Sequence, residues 1–149
     1  MSKKRILDRQ EIEQVMNSAP TCFLAINTEK APYIIPMNFG YTDNALYLHT
    51  GLHGKKLELL RKDNRVGFCI TGDCQLVSGE KACNWTVRGQ SVTGHGRATF
   101  ISDDDEKQQV FDILMSHYIA GPYEYNPQSV AAALLIRIDI DEISGKSIE

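Results

Sequence analysis

The feature that most constrains the fold is a pair of alternating polar and apolar segments on either side of a turn. In residues 33–39 and 45–50, side chains alternate with the period of two that is typical of a β-strand. Between the segments, Asp43 and Asn44 have short polar side chains that tolerate the backbone angles of a tight turn. We therefore predict that residues 32–56 form a hairpin and the start of a helix, around which the rest of the chain is organised.

The alternation assigns each side chain of this hairpin to a face. The second strand carries Ala45, Tyr47 and His49 on one face and Leu46, Leu48 and Thr50 on the other; the first carries Ile34, Pro36 and Asn38 opposite Tyr33, Ile35, Met37 and Phe39. Asn38, His49 and Thr50 then lie near strand ends, a short distance in sequence from Lys55 and Lys56. Such a set of hydrogen-bonding groups and cations suits a planar ligand with a phosphate tail.

The lysine pair follows Gly54 at a predicted helix start. Free backbone N–H groups at such a terminus already favour an anion. Lysines are unfavourable at the positive end of a helix dipole unless a negative group is nearby. A solvated helix start is the alternative, but the position favours an anion site.

The remaining sequence predicts short elements in an α+β arrangement. We expect helices at residues 8–19, 54–62 and 103–118, strands at 21–27, 66–71, 85–101 and 134–140, and loops at 72–84 and 119–129. Asp8 and Glu11 resemble a capping box. Five or six strands with hairpin connections predict a single domain, residues 1–149, built as an antiparallel β-barrel with flanking helices.

Charge and hydropathy exclude several classes of partner. The net charge of −3 offers no bulk attraction to nucleic acid or to an anionic membrane. The longest apolar run, residues 130–136, is far shorter than the ~20 residues of a membrane span. The basic first residues run into Asp8 and Glu11 without an apolar segment, so we expect no signal peptide and a cytoplasmic protein.

Four cysteines raise the question of a metal site. Cys69, Cys74 and Cys83 are spaced unlike any standard zinc pattern, even with His49, His53 and His95 available. Cys22 and Cys69 lie in apolar segments, where a cysteine behaves as a small hydrophobic residue. We predict reduced thiols and no metal.

Several motifs together resemble a known family. Residues 36–41 (PMNFGY), 46–50 (LYLHT), 54–66 (GKKLELLRKDNRV) and 85–98, which contain WTVRGQSV and GHGRA, occur in this order. They resemble the pyridoxamine-phosphate-oxidase-like flavin-binding split barrels, and within them the 5-nitroimidazole-resistance (Nim) branch. The likeness runs from about Ile6 to Gly145. It implies an FMN-binding split barrel, with FAD as the alternative flavin.

The resemblance also implies site residues. It places cofactor-binding groups at Pro36, Met37, Asn38, Phe39, His49, Thr50, Lys55, Lys56, Trp85, Arg88 and Ser91. The lysines would hold the flavin phosphate, and residues 36–39 would line the isoalloxazine ring. The 85–91 segment would reach the cofactor across a homodimer interface. His49 would contact the flavin and, as the catalytic residue, supply a proton.

A purely structural role remains the alternative for most of these residues. Met37, Phe39 and Trp85 could be ordinary core residues, whereas a buried Asn38 amide without partners would cost about 1–3 kcal/mol. Tyr118, Tyr123 and Tyr125 could form a substrate lid or pack the helix end.

Three functions remain in competition. The first is an FMN-dependent oxidoreductase that takes electrons from NAD(P)H and reduces a small acceptor such as a nitroaromatic. The second is a flavin- or haem-binding protein that senses or stores without turnover, and the third is a structural module without a cofactor. Pyridoxamine phosphate oxidation is not expected, because the R-x-x-x-L-K strand of those oxidases is absent and residues 33–38 read YIIPMN.

Overall fold

The computed structural model describes residues 4–148. In chain order the elements are β1 (Lys4–Leu7), α1 (Arg9–Ser18), β2 (Cys22–Ile26), β3 (Tyr33–Met37), β4 (Gly40–Thr42), β5 (Ala45–Gly51), α2 (Lys55–Lys62), β6 (Arg65–Val77), a 3₁₀ turn (Ala82–Asn84), β7 (Thr86–Ile101), α3 (Asp104–Ser116), α4 (Pro127–Ala131) and β8 (Ala133–Ile148). No helix within this part of the chain has the length and apolarity needed to cross a bilayer.

The strands form one antiparallel sheet that curls into a split barrel. Its order is β3-β2-β6-β7-β8-β5-β4, and β1 pairs with β8. The strands at the two ends of this order, β3 and β4, are consecutive in the chain and separated only by Asn38 and Phe39. The chain therefore connects the two ends of the sheet, although β3 and β4 are not hydrogen-bonded to each other. We call the gap between these two strands the split. The predicted α+β antiparallel split barrel is confirmed.

The predicted single hairpin of residues 32–50 is wrong in its pairing. β3 pairs with β2, whereas β4 pairs with β5 through the turn at Asp43 and Asn44. Both turn residues have positive φ, 48° and 59°, as a two-residue type I′ turn requires. Alternation identified the strands and the turn but contained no information about which edge β3 would join.

Three further predictions need correction. Residues 72–84 are not wholly a loop, since β6 continues to Val77 across an irregularity between Thr71 and Cys74. The 119–129 loop ends in α4, where the Asn126 side chain accepts a hydrogen bond from the Gln128 N–H and Pro127 occupies the favoured first turn. The described chain has eight strands rather than five or six, because the short β1 and β4 are too brief to show a period.

The predicted helices are confirmed within two residues at each end. Asp8 caps α1 and forms the capping box with Glu11. Asp103 caps α3 by accepting from the Glu106 N–H. α2 buries Leu57 and Leu60 and ends at Asp63, as its sequence indicates.

Two apolar clusters hold these elements together. The main core fills the barrel and includes Met16, Leu24, Leu48 and Ile70, all fully buried. A smaller cluster under α3 contains Ala45, Tyr47, Ile101, Val110, Leu114 and Leu135. α3 approaches β4 so closely that a Cβ on Gly40 would lie 2.9 Å from the Ile113 carbonyl oxygen. Glycine at this position therefore sets the distance of α3 from the barrel.

Cys22 is buried in β2 and Cys69 is half-buried in β6, in line with the apolar segments in which they lie. All four cysteines are free, and burial raises the pKa of the Cys22 thiol to about 12. Within residues 4–148, no three His, Cys, Asp or Glu side chains lie together as a metal site would require.

Candidate functional site

The candidate site lies at the split in the barrel. The β4–β5 ladder begins at the Gly40–Tyr47 pair, two residues after Asn38 and two before His49. Beyond that pair β3 turns away to join β2, whereas β5 continues beside β8. Asn38 and His49 therefore flank the point where the two strands separate, and α2 begins just after the end of β5.

The structure divides the four residues predicted to line the ligand ring. Pro36 and Asn38 are exposed, whereas Met37 is buried and Phe39 is 0% exposed. The Phe39 ring packs against His117, with ring centroids 4.4 Å apart. The ordinary core interpretation thus describes the Met37 and Phe39 side chains, and Pro36 and Asn38 are the members free to face a ligand.

His49 and Thr50 point to opposite faces of β5, as the alternation predicted. His49 is exposed on the face that α3 covers, with its ring centroid 6.4 Å from that of Phe111. Thr50 is buried on the inward face. A ligand on one face of β5 can meet only one of these two side chains.

The first turn of α2 carries two lysines, Lys55 and Lys56, and one acidic residue, Glu58. Gly54, with φ 132°, provides no side-chain cap, so the first N–H groups of the helix have no side-chain acceptor. Among the described residues, neither the Lys55 nor the Lys56 ammonium lies within 4.0 Å of a carboxylate. These are the conditions of an anion site.

Each lysine is directed by a residue of β3. Lys55 Nζ lies 4.5 Å from the centroid of the Tyr33 ring, a cation–π contact. Lys56 Nζ lies 3.6 Å from Met37 Sδ, and partial burial lowers the pKa of this ammonium. Both ammonium groups therefore lie beside β3.

A groove continues from Lys55 along α2. It has a volume of about 700 Å³ and is lined by the β2–β3 turn, Tyr33, Leu59 and Lys62. Asp63, a carboxylate on this groove, is already bonded by Arg65 and Asn27, which hold its pKa well below the usual range. The groove has the size of a small-molecule site and adjoins the anion site.

The second predicted group lies elsewhere in the same chain. β2 pairs with β6 only as far as Ile70, so the hairpin of β6 and β7 extends beyond it and carries Trp85 and Arg88 near its tip. Trp85 is 50% exposed, and Arg88 lines a separate cavity of about 520 Å³. Ser91 pairs with Thr71 and Lys146 and points to the face opposite Arg88. One chain alone does not bring these residues to Lys55 and Lys56.

Sequence reasoning gave no role to Tyr33, whose ring Lys55 contacts, and it left the tyrosines near α3 undecided. The Tyr118 hydroxyl accepts the Phe39 N–H at 2.9 Å and donates to the Pro20 carbonyl at 2.9 Å. Tyr125 instead donates a hydrogen bond to Asp112, and burial, together with this bond, raises the pKa of the Tyr125 hydroxyl. Tyr33 was assigned a face but no role, although it shares the Met37 face and could have been paired with the lysines on that basis.

Comparison with known proteins identifies the family. The sequence model of the family described as pyridoxamine 5′-phosphate oxidase matches residues 8–147. The chain belongs to this family. A comparison with curated proteins gave no match.

Solved structures agree with this assignment. A candidate 5-nitroimidazole antibiotic resistance protein from Bacteroides thetaiotaomicron is 33% identical, with 99% of this chain and 89% of that chain covered and a TM-score of 0.87. An FAD and haem binding protein from Mycobacterium smegmatis is 22% identical, with 99% and 74% covered and a TM-score of 0.85. The flavocytochrome Anf3 from Azotobacter vinelandii is 20% identical, with 98% and 69% covered and a TM-score of 0.82. The latter two show likeness of fold.

Proposed function

We propose that this member of the family is an FMN-dependent oxidoreductase that takes electrons from a reduced nicotinamide and reduces a small acceptor such as a nitroaromatic. The observation that carries the proposal is the uncapped start of α2 near the split of the barrel, where the Lys55 and Lys56 ammonium groups have no carboxylate within 4.0 Å in the part of the chain that the structure describes. The relative from Bacteroides thetaiotaomicron, assigned to nitroimidazole resistance, supports the class of acceptor.

The residues present fit the phosphate of a flavin mononucleotide. The first N–H groups of α2 can donate to phosphate oxygens, and Lys55 and Lys56 can add charge-assisted hydrogen bonds. Partial burial removes water from the Lys56 ammonium, and the neighbouring Met37 sulfur is only a weak acceptor. A bound anion would replace the lost hydration with a stronger interaction. FAD, with its longer phosphate chain, remains the alternative flavin.

The residues at the split fit the ring. Asn38 and His49 are exposed and flank the separation of β3 from β5. An amide and an imidazole can hydrogen-bond the polar edge of an isoalloxazine, while Pro36 provides an apolar surface beside it. When bound, the flavin supplies the electron transfer itself, since hydride and one-electron chemistry belong to the cofactor.

The chain's own residues would orient the ligand and manage the proton. His49 can donate a proton from an imidazole nitrogen to the reduced acceptor. Phe111, whose ring centroid lies 6.4 Å from that of His49, would limit water on one side of the site. Lys55 and Lys56 would bind the phosphate of the ligand and take no part in proton transfer.

A homodimer would complete the site. Large apolar side chains are exposed on the outer face of the sheet: Phe23, Ile34, Leu76, Val87 and Ile148, with Leu76 67% and Ile34 62% exposed. The register places them on one face, to which Ser91 also belongs. A second copy against this face would bury them and could bring the tip of the β6–β7 hairpin to the partner's split.

The visible spectrum of the purified protein, followed by identification of the released chromophore, tests cofactor binding. Steady-state oxidation of NADH and NADPH with a nitroaromatic acceptor then tests turnover. We expect bound FMN and acceptor-dependent oxidation. A preparation that stays colourless after incubation with excess FMN would contradict the proposal and favour a module without a cofactor.

A flavin- or haem-binding protein without turnover is the second candidate. Two solved structures of the same fold are described as a flavocytochrome and as an FAD and haem binding protein, and His49 is an exposed imidazole of the type that ligates haem iron. Reduced protein that passes no electrons to any small acceptor would decide for this candidate. A cytoplasmic location and the lack of nucleic-acid or membrane partners stay predictions from the sequence.

A further inference from the structure

The hydroxyl of Tyr118 joins three separate segments of the chain. It lies 2.9 Å from the Phe39 backbone nitrogen, 2.9 Å from the Pro20 carbonyl oxygen and 3.4 Å from Asn38 Nδ2. Its neighbour His117 donates from Nε2 to the Ala19 carbonyl at 2.7 Å and packs on the Phe39 ring. The end of α3 is therefore held against the α1–β2 connection and against the two residues between β3 and β4.

The proton count at this hydroxyl determines the direction of each bond. A carbonyl oxygen only accepts, so the single hydroxyl proton goes to Pro20. A backbone N–H only donates, so Phe39 uses one of the hydroxyl lone pairs. Toward Asn38 the hydroxyl can then only accept.

This direction fixes the amide of Asn38. The side chain must present its NH₂ group to Tyr118, because a carbonyl oxygen placed there would face oxygen lone pairs. The amide oxygen Oδ1 is consequently left without a partner among the described residues, and Asn38 is exposed at the split. The site thus contains an acceptor whose orientation is set by a residue 80 positions away in the sequence.

We infer that Tyr118 is a positioning residue that makes Asn38 select a ring N–H donor on the ligand. The inference rests on the proposed function, in which the ring is a flavin. The oxidised isoalloxazine has a single ring N–H, at N3 of its pyrimidine edge, and Asn38 Oδ1 accepts it. Loss of the Tyr118 hydroxyl frees the amide to rotate and offer either group, so that the selection weakens.

The test compares FMN with N3-methyl FMN, which lacks the donor. Wild-type protein is expected to bind FMN about fivefold to tenfold more tightly, the equivalent of one neutral hydrogen bond. Asn38→Ala should abolish the preference, and Tyr118→Phe should reduce it to less than about twofold. In the Asn38→Ala background, Tyr118→Phe should cause no further loss of FMN affinity, since the two residues act as one unit.

Tyr125→Phe is the matched control, because it also removes a tyrosine hydroxyl that bonds a neighbouring side chain. It should leave the preference unchanged. A Tyr118→Phe protein with a lower thermal midpoint and an unchanged preference would show a purely structural role and overturn the inference. If Tyr118→Phe does not fold, Asn38→Ala provides the test. An unchanged preference for FMN in Asn38→Ala would overturn the inference, and loss of the preference would support it.

The two proposals fail in different ways. Wild-type protein that binds FMN and its N3-methyl analogue equally overturns this inference alone. Wild-type protein that binds neither overturns the proposed function, and the inference with it.

Discussion

Nζ of Lys56 lies 3.6 Å from Sδ of Met37, so an ammonium at the start of a helix is held beside a thioether. A thioether sulfur is a weak acceptor and carries no charge. Lys56 is therefore oriented by β3 but not neutralised by it. This arrangement leaves the Lys56 ammonium available to bind an anionic ligand.

Replacing both Lys55 and Lys56 by Ala should weaken FMN binding by about 2–4 kcal/mol, because each charged hydrogen bond contributes roughly 1.5–3 kcal/mol before a discount for exposure. Fluorescence titration of FMN measures the change. Arg61→Ala is the control, since it removes a positive charge from the last turn of the same helix at a residue that does not line the groove. Equal losses in the two proteins would remove the lysine pair from the site.

The affinity for FMN should fall at alkaline pH. Burial lowers the pKa of Lys56 below its ordinary value of 10.5, and a bound phosphate would raise it again. Affinity is then greatest where Lys56 is protonated in the free protein, and it falls as the pH rises through the lowered pKa. A fall of about tenfold corresponds to the loss of one charged hydrogen bond. Lys56→Ala should flatten this part of the profile, and parallel profiles would contradict the assignment.

His49→Ala should reduce flavin retention or turnover without affecting folding. His49 is exposed, so the free energy of unfolding should change by no more than about 0.5 kcal/mol. Bound FMN per chain and the rate of nitroaromatic reduction are the measurements. His53→Ala, in the exposed connection to α2, serves as the control. An unaltered enzyme would leave His49 with a packing role.

Gly40→Ala should destabilise the fold by about 1–3 kcal/mol, because the added Cβ would lie 2.9 Å from the Ile113 carbonyl oxygen and push α3 outward. Urea unfolding measures the loss. Gly51→Ala is the matched control, since a Cβ there meets no atom within 4 Å. Similar stability of the two variants would show that α3 does not need this close approach.

A double substitution, Leu76→Asp with Val87→Asp, should convert a dimer into monomers and weaken FMN retention. The two residues are paired across β6 and β7 on the exposed apolar face, and buried charges without partners are costly. Light scattering after size exclusion reports the mass. Ile119→Asp, at a side chain that is 58% exposed beyond α3, is the control. A monomeric wild-type protein that binds FMN fully would contradict the proposed interface.

Local sequence patterns were sufficient for much of this protein. The capping box at Asp8 and Glu11, the apolar stripe of α2 and the acidic start of α3 predicted three helices within two residues. The turn at Asp43 and Asn44 was predicted from the backbone angles that these residues tolerate. Such features depend on residues that are close in sequence, so the sequence alone reveals them.

Tertiary structure decided how those elements meet. β3 pairs with β2 across the short connection of residues 27–32 rather than with β5, and alternation within a strand has no signal for which neighbour it joins. Long-range packing places Phe39 in the core and brings Tyr118 to Asn38, although 80 residues separate the last two. The sequence therefore determined which groups are available to a ligand, and the fold determined which of them face it.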